Sequence, residues 1–316
     1  MRNRSLWQAA AGRRNVLEIV VNDVVKTYKD VIAADHVSFS IEKGSVCGII
    51  GPNGAGKTTL MEIMLGLRKQ DSGTVTIDGM DNIKDHRKLV YHIGAQLQES
   101  ELPANIKVRE AVTLQAALFK VKPDVRKLLE EFNLLDKAGA YCSKLSGGQR
   151  QRLFILLAVI HDPQIVFFDE LSTGLDPVSR QEVWNYVKRL KKQDKTIIVS
   201  THYMQEAEEI CDNVMLINNG TVVDSGSPAE LISKLPFSQV VTFEAVLSEE
   251  DVKDRLKAMR DFAGMERLSP GKYRAFAGRD FSIDGLRQSG IDGLKGLQVR
   301  ESCFEDYFYY KVKIKG

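Results

Sequence analysis

An apolar run at residues 45–50 leads directly into the glycine-rich segment Gly51-Pro52-Asn53-Gly54-Ala55-Gly56-Lys57-Thr58, which Thr59 follows. This is the complete G-x-x-x-x-G-K-[ST] pattern, and apolar residues at helical spacing continue to Leu67. A buried strand, a tight glycine turn and a helix in this order form an anion-binding nest of backbone N–H groups. We therefore predict an α/β fold in which Lys57 reaches phosphate oxygens and Thr58 places its hydroxyl on Mg²⁺.

Predicted strands and helices alternate between residues 165 and 211. We predict strands at Ile165–Asp169 and Thr196–Ser200, and helices at Pro177–Leu190 and Met204–Cys211. Such alternation implies a parallel sheet with helices on its faces. Ligands bind at the carboxyl ends of strands in such sheets, so Asp169 is expected to be a direct or water-mediated Mg²⁺ ligand. Glu170 is expected to orient and partly deprotonate an attacking water.

The rest of the chain adds smaller parts. Residues 17–28 and 37–41 have the pattern of antiparallel strands, and Asn218-Asn219-Gly220 predicts a hairpin turn. Helical spacing predicts a helical insert at about residues 99–160. We expect a basic tail at 1–16, a main domain at 17–235 and a small α+β appendage at 236–316.

Composition narrows the class of protein. The chain has 316 residues, of which 43% are hydrophobic and 27% charged, as in globular proteins. A net charge of +2 provides no bulk field for nucleic acid, so no nucleic-acid partner is expected. Four scattered cysteines without a C-x-x-C pair suggest reduced thiols. No apolar run approaches the roughly 20 residues of a spanning helix, and the N-terminal residues lack the apolar core of a signal peptide.

A second glycine motif, Leu145-Ser146-Gly147-Gly148-Gln149, lies between the two halves of the predicted phosphate site. The order of phosphate loop, LSGGQ, Asp169-Glu170 and Ser200-Thr201-His202 resembles the nucleotide-binding subunit of ATP-binding-cassette (ABC) transporters, over about residues 17–235. The resemblance implies a P-loop NTPase core with an antiparallel β subdomain and a helical insert. It also implies ATP and Mg²⁺ as ligands, and ATP hydrolysis coupled to transport.

The resemblance implies further roles. Gln98, with Gln96 as the less favoured alternative, would contact Mg²⁺ and water, His202 would sense the γ-phosphate, and Tyr28 would stack on adenine. The dimer-contact loop would be Thr173-Gly174-Leu175-Asp176. Two subunits, alike or different, would sandwich two ATP molecules, and each γ-phosphate would meet the opposite subunit's Ser146, Gly147, Gly148 and Gln149. Leu171 stands where the family usually has proline, and Thr173 where serine is more familiar.

Several interpretations of the biological role remain open. The leading one is the ATPase of a bacterial exporter at the cytoplasmic face of the membrane, with a separate transmembrane permease; residues 303–308 weakly resemble the ending of drug-exporter ATPases. An importer or a lipid exporter would use the same chemistry. A non-transport ABC ATPase on DNA or ribosomes usually carries two cassettes or a long coiled coil, which this sequence lacks. Glu170 and His202 argue against a module that binds ATP without hydrolysing it.

Two expectations concern contacts with other molecules. Leu6 and Trp7 in the basic tail suggest either a frayed end or an arm that touches anionic lipid or a partner. Leu102, Ile106 and Val108, shortly after Gln98, suggest a groove for a cytoplasmic helix of the permease. The alternative for these three residues is that they pack the insert against the core.

Overall fold

The computed structural model describes residues 17–98 and 101–314. The basic tail with Leu6 and Trp7, and the residues at which the helical insert was expected to begin, lie outside this described part. The chain divides into two compact units, with the division between Pro228 and Ala229. The sequence predicted a boundary after Leu235.

Within its described residues, the first unit contains ten strands and the helices of the core and insert. The strands are β1 (Leu17–Tyr28), β2 (Val31–Glu42), β3 (Val46–Ile50), β4 (Ser72–Ile77), β5 (Met80–Asp81), β6 (Ile93–Gln96), β7 (Ile165–Asp169), β8 (Thr196–Thr201), β9 (Asn213–Asn218) and β10 (Thr221–Gly226). The helices are α1 (Lys57–Met64), α2 (His86–Leu89), α3 (Val108–Leu118), α4 (Val125–Glu131), α5 (Gly147–Val159), α6 (Pro177–Lys192) and α7 (Met204–Ile210).

Two sheets organise this unit. An antiparallel sheet has the order β2-β1-β4-β5. A six-stranded sheet has the order β10-β9-β3-β8-β7-β6, in which β9, β3, β8, β7 and β6 run parallel and β10 pairs antiparallel with β9. The predicted α/β class and the hairpin at Asn218-Asn219-Gly220 are confirmed. β4, β5 and β6 were not predicted.

The strand register places the site. Ile50 at the end of β3 lies opposite Thr201 of β8, Ser200 lies opposite Asp169 at the end of β7, and Phe168 lies opposite Gln96 at the end of β6. Because the strands are parallel, their carboxyl ends meet at one edge of the sheet. The phosphate loop, Asp169-Glu170 and the Ser200-Thr201-His202 segment therefore emerge side by side.

The position of β7 between two hydrophobic cores explains why its residues 165–168 are all apolar. Ile165 and Phe167 pack into a core shared with the antiparallel sheet and α1, whereas Val166 and Phe168 pack into a core shared with α3, α5 and α6. All five residues of β7 are buried. A strand covered on both faces loses the alternation of half-exposed strands. Its two cores hold the end of the strand, and hence Asp169, in a fixed place.

Two helices end earlier in the structure than the sequence predicted. The helix after the phosphate loop ends at Met64 rather than near Leu67, and α7 ends at Ile210 because Cys211 has an extended conformation. Val108 is fully buried, and Leu102 and Ile106 pack against the core cluster that contains it. Val108 is therefore a core residue, as the packing alternative expected, whereas Leu102 and Ile106 are only partly buried, and a permease-binding role for these two residues stays a prediction.

The second unit is a small α+β structure, as the sequence predicted. Its strands are β11 (Gln239–Glu244), β12 (Phe262–Ser269), β13 (Lys272–Ala277) and β14 (Lys295–Glu301), in the antiparallel order β12-β13-β11-β14. Its helices are α8 (Pro228–Ser233), α9 (Glu249–Lys257), α10 (Ile283–Gln288) and α11 (Phe304–Tyr309). Val252 and Leu256 of α9 and Leu286 of α10 pack against the inward side chains of β11 and β13.

Candidate nucleotide site

The phosphate loop is closed tightly around its glycines and its lysine. Gly56 has φ of +102°, and a Cβ there would lie 2.1 Å from the backbone oxygen of Ala33, so only glycine fits. The Lys57 ammonium, largely buried, donates to the backbone oxygens of Gly51 and Pro52 at 2.9 and 3.0 Å. Burial lowers the pKa of Lys57, although nearby carboxylates counteract this shift. A desolvated cation at the start of a helix is suited to phosphate oxygens.

Asp169 is the buried carboxylate beside this loop. Ser200 Oγ donates to its Oδ1 through a short hydrogen bond, while Oδ2 is buried and has no hydrogen-bond partner in the described part of the chain. Burial raises the pKa of Asp169, and the hydroxyls of Ser200 and Thr58 partly offset that rise. An orphaned carboxylate oxygen near a hydroxyl is a donor pair that fits Mg²⁺, which prefers oxygen ligands. Within the described residues, no group of three or more acidic, histidine or cysteine side chains is arranged to hold a metal ion, so phosphate and water would complete such a site.

Glu170 reaches the site through an unusual backbone conformation. Its φ is +51°, in the left-handed region, and its N–H donates to the backbone oxygen and to Oγ of Ser200 at 3.1 Å each. Its side chain is only 11% exposed, and its Oε1 lies 3.4 Å from His202 Nδ1. Such strain at a non-glycine residue persists only where the surroundings hold it. This turn separates the directions of the two neighbouring carboxylates.

Two further side chains hold the Glu170 carboxylate. Gln98 Nε2 donates to Oε2 at 3.4 Å, and Thr173 Oγ1 donates to the same oxygen at 3.1 Å. Glu170 is thereby linked to the segment after β6 and to the predicted dimer-contact loop. The carboxylate keeps acceptor capacity for a water molecule.

A cavity of about 460 Å³ opens over the phosphate loop. It is lined by Tyr28, Val31, Ala33, Asn53, Gly54, Gly56, Lys57, Thr58, Thr59, Gln98 and Glu170. The structure thus brings nine of the eighteen predicted site residues together around one space, while His202 lies beside it, 3.4 Å from Glu170. Gly51, Pro52 and Ala55 belong to the same loop but do not line the cavity, and Asp169 lies buried in the sheet edge. Tyr28 stands between two cations, with Lys26 and Arg68 within 5.5 Å of its ring centre.

The structure separates the two glutamines that the sequence left open. Gln96 is buried, and its amide donates to the backbone oxygens of Leu97 and Asp169 at 3.1 and 3.4 Å. Gln98 lines the cavity and contacts Glu170. This geometry favours Gln98 for the predicted role beside Mg²⁺ and water, which stays a prediction.

The LSGGQ residues lie apart from this cavity. Ser146 is the N-cap of α5, with its Oγ accepting from Gln149 N at 3.3 Å and its N–H donating to Gln149 Oε1 at 3.0 Å. None of Ser146, Gly147, Gly148 and Gln149 lines the cavity over the phosphate loop. The N–H groups at the start of α5 form a second potential anion site.

Sequence reasoning missed three contributors to the cavity and its carboxylates. Ser200 appeared only as part of a motif, yet it holds both Asp169 and the Glu170 backbone. Val31 and Ala33 were placed before the predicted start of the second strand. The turn between β1 and β2 is Lys29-Asp30, with Lys29 at φ +48°, and it contains no glycine that would signal a hairpin.

Comparison with known proteins agrees with this geometry. A family described as ABC transporter matches residues 34–173. The chain is 36% identical over 225 residues to the Nod factor export ATP-binding protein I of Rhizobium etli, covering 70% of this chain and 71% of that protein. It is 32% identical over 294 residues to the doxorubicin resistance ATP-binding protein DrrA of Mycobacterium tuberculosis, covering 90% and 85%.

Solved structures show the same fold. The ADP conformation of an ATP-binding cassette of an ABC transporter aligns with a TM-score of 0.60 at 25% identity, covering 68% of this chain and 92% of that one. A dimeric post-hydrolysis state of an ATP-binding cassette bound to ADP and Pi aligns with a TM-score of 0.60 at 27% identity, covering 66% and 98%.

Proposed function

The chain belongs to the ABC transporter family as one of its ATPase subunits, and we propose that it powers export by hydrolysing MgATP between two subunits. The observation that carries the proposal is the grouping of the reacting residues at one edge of the sheet: Lys57, Thr58 and Glu170 line one cavity, Asp169 is buried at the end of β7, and His202 lies 3.4 Å from Glu170. We assign export as the direction of transport because the names of two similar proteins describe export of Nod factor and resistance to doxorubicin. An importer or a non-transport ATPase is not favoured.

Hydrolysis needs a base, a positively charged cradle and a leaving group. We infer that Glu170 accepts a proton from a water whose oxygen attacks the γ-phosphorus of ATP. The bond from that phosphorus to the bridging oxygen breaks, and ADP leaves with the electron pair. Lys57 and the loop N–H groups stabilise the negative charge on the phosphates. His202, 3.4 Å from Glu170, would contact the γ-phosphate and orient that carboxylate.

The divalent cation is part of this proposal. Thr58 and Asp169 would hold Mg²⁺, with Gln98 beside it, and the buried, unpartnered Oδ2 of Asp169 supports that assignment. When bound, Mg²⁺ neutralises phosphate charge. Tyr28 and Val31, at the open end of the cavity, would contact the adenine base.

The second subunit completes each site. The described cavity contains no LSGGQ residue, and yet Ser146 and the α5 N-terminus form an anion-binding end of a helix. We propose that this end contacts the γ-phosphate bound by the partner subunit. The dimeric cassette with ADP and Pi that shares this fold supports such an arrangement.

We propose a second candidate surface for the transmembrane partner. A cavity of about 220 Å³ lies beside β6, α2 and α3. We call it the α2–α3 groove; it is lined by Leu65, Leu67, His86, Leu89, Val90, Ile93, Gly94, Ala95, Gln115, Phe119, Ala158 and His161. Leu67 and Val90 are 58% and 38% exposed, and Tyr91 and Leu118 are also exposed. We propose that a cytoplasmic segment of the permease binds there, since β6 leads to Gln98.

Two substitutions test the hydrolysis proposal. Glu170→Gln should keep ATP binding and reduce kcat by roughly a hundredfold or more, because an amide cannot accept the water proton. Lys57→Ala should weaken ATP binding as well, because it removes a charge from the phosphate cradle. Binding is measured with a fluorescent ATP analogue and turnover by phosphate release. Wild-type turnover by Glu170→Gln would exclude Glu170 as the base.

A further inference from the structure

The imidazole ring of His202 lies against the ring of the residue that follows it. The centroids of the His202 and Tyr203 rings are 4.2 Å apart, and the two ring planes are inclined by 36°. His202 Nδ1 lies 3.4 Å from Glu170 Oε1 but has no hydrogen-bond partner in the described part of the chain. A hydrogen bond to one ring nitrogen commonly fixes the orientation of an imidazole. At His202, the contact with Tyr203 is available to do so instead.

Tyr203 is itself held through both its backbone and its ring. Its backbone N–H donates to Thr201 Oγ1 at 2.9 Å. The guanidinium carbon of Arg180, the fourth residue of α6, lies over its ring at 5.0 Å from the centroid. A guanidinium at this distance attracts an aromatic ring. Arg180 Nε is buried and has no hydrogen-bond partner among the described residues, so the ring is an important contact of this side chain.

The segment that supplies Arg180 also holds the carboxylate on the other side of the contact. Asp176, the last residue of the predicted dimer-contact loop, caps α6, and its backbone oxygen accepts from Arg180 N–H at 2.9 Å. Thr173, the first residue of that loop, donates from Oγ1 to Glu170 Oε2 at 3.1 Å. The loop and the first turn of α6 therefore contact the carboxylate directly, and reach the imidazole beside it through an aromatic ring.

We propose that Tyr203 is a positioning residue for hydrolysis. Held by Arg180, its ring sets the orientation of the His202 imidazole beside Glu170. This inference rests on the proposed function of His202 and Glu170. Neither Tyr203 nor Arg180 lines the cavity over the phosphate loop. Loss of the Tyr203 ring should therefore lower the rate of the chemical step more than the affinity for ATP, because a small displacement of a reacting group slows the reaction.

The test uses the full chain and compares substitutions of the two stacked side chains. Tyr203→Ala removes the ring, Tyr203→Phe removes only the hydroxyl, and Arg180→Ala removes the guanidinium. Arg189→Ala is the matched control, because Arg189 lies on the same helix and over the Tyr186 ring, at 4.2 Å from its centroid. This control removes a contact of the same kind from a place that does not line the cavity. For each protein, kcat and KM for MgATP are measured together with the thermal midpoint.

We expect Tyr203→Ala to lower kcat about tenfold or more, while KM changes less than about twofold and the thermal midpoint is kept. Tyr203→Phe should stay within about threefold of the wild-type kcat, because it keeps the ring. Arg180→Ala should lower kcat about threefold, because the ring loses its cation. Arg189→Ala should turn over at the wild-type rate.

A double-mutant cycle shows whether Tyr203 acts through the imidazole. His202→Ala should lower kcat strongly, and adding Tyr203→Ala should lower it by less than about twofold more, because the ring to be positioned is already gone. Residual rates are followed as single turnovers of radiolabelled ATP with enzyme in excess, so that slow variants stay measurable.

Unchanged kcat in Tyr203→Ala would overturn the inference, and so would an equal loss with and without His202. A fall of kcat that follows the thermal midpoint in every variant would also overturn it, in favour of a packing role. If Tyr203→Ala does not fold, Tyr203→Leu and Arg180→Ala decide in the same way. Full turnover by His202→Ala or Glu170→Gln would contradict the proposed function, whereas loss of turnover in both with no effect of Tyr203→Ala overturns only the present inference.

Discussion

At the scale of single residues, burial sets the electrostatics of the site. Lys57 and Asp169 are both buried, and burial shifts the pKa of each toward its uncharged form. Their remaining partners are a few carbonyls and hydroxyls. The charged form of each group is therefore stabilised when an ion of opposite charge binds. This is the physical basis for binding phosphate and Mg²⁺ at this site.

In the second unit, we assign a stabilising role to one buried charge, the carboxylate of Asp306. Asp306 accepts from Arg300 Nη1 and Nη2 at 2.6 and 2.8 Å and from Cys303 N–H at 2.9 Å. Burial alone would raise the pKa of Asp306, but these donors hold it below its ordinary value. Because the folded pKa is lowered, the stabilisation is complete above the pKa of an unfolded aspartate. It is lost as pH falls through the lowered folded pKa.

We therefore expect Asp306→Asn to reduce the free energy of unfolding by about 1–3 kcal/mol at neutral pH. The difference from wild type should shrink toward zero as the pH falls through the lowered folded pKa of Asp306. Urea unfolding across a pH series measures it. Asp284→Asn is the control, since Asp284 and Arg287 form a largely exposed pair worth little. A loss for Asp306→Asn that is independent of pH would contradict the assignment.

At the scale of elements, the N-termini of α5 and α6 pack together. A Cβ on Gly148 would lie 2.4 Å from Ser179 Oγ, so the LSGGQ glycine allows the close approach. Ser179 Oγ in turn donates to Asp176 Oδ2 at 2.6 Å, and Asp176 caps α6. The signature segment and the predicted dimer-contact loop thus form one rigid surface.

The arrangement predicts that Ser146 acts in trans. A mixed dimer of one Lys57→Ala subunit and one Ser146→Arg subunit places both lesions on one composite site. Hence the other site stays whole, and about half of the wild-type ATPase rate is expected. The matched control combines both substitutions in one subunit with a wild-type partner, which disables both sites. Higher activity in that control than in the first dimer would show that Ser146 acts within its own subunit.

At the scale of the whole molecule, the proposed function requires that movement at the nucleotide reaches another chain. No helix in the described residues is both long and apolar enough to cross a bilayer. The α2–α3 groove presents apolar side chains beside the strand that leads to Gln98. Gln98 contacts Glu170, and we propose that a change at the γ-phosphate is transmitted toward this groove through this short segment.

We expect Leu67→Asp and Val90→Asp to keep the basal ATPase rate and to abolish co-purification with the permease. A charge in an apolar interface costs several kcal/mol when the partner binds, but little on a free surface. Leu268→Asp in the second unit is the control, with a side chain of comparable exposure to Val90. Retained binding to the permease would place the interface elsewhere, and loss of basal ATPase would indicate a role in folding.

The sequence by itself determined the chemistry and the strands that carry it. The phosphate loop, β7 at Ile165–Asp169 and the glycine-marked β9–β10 hairpin were all identified, because each depends on local spacing and turn chemistry. Only the tertiary structure decided that Gln98 rather than Gln96 lines the cavity. It also decided that Val108 is a core residue with Leu102 and Ile106 partly buried beside it, and that Ser200 holds both Asp169 and the Glu170 backbone. These facts depend on strand register and on packing between distant segments, which a local pattern does not encode.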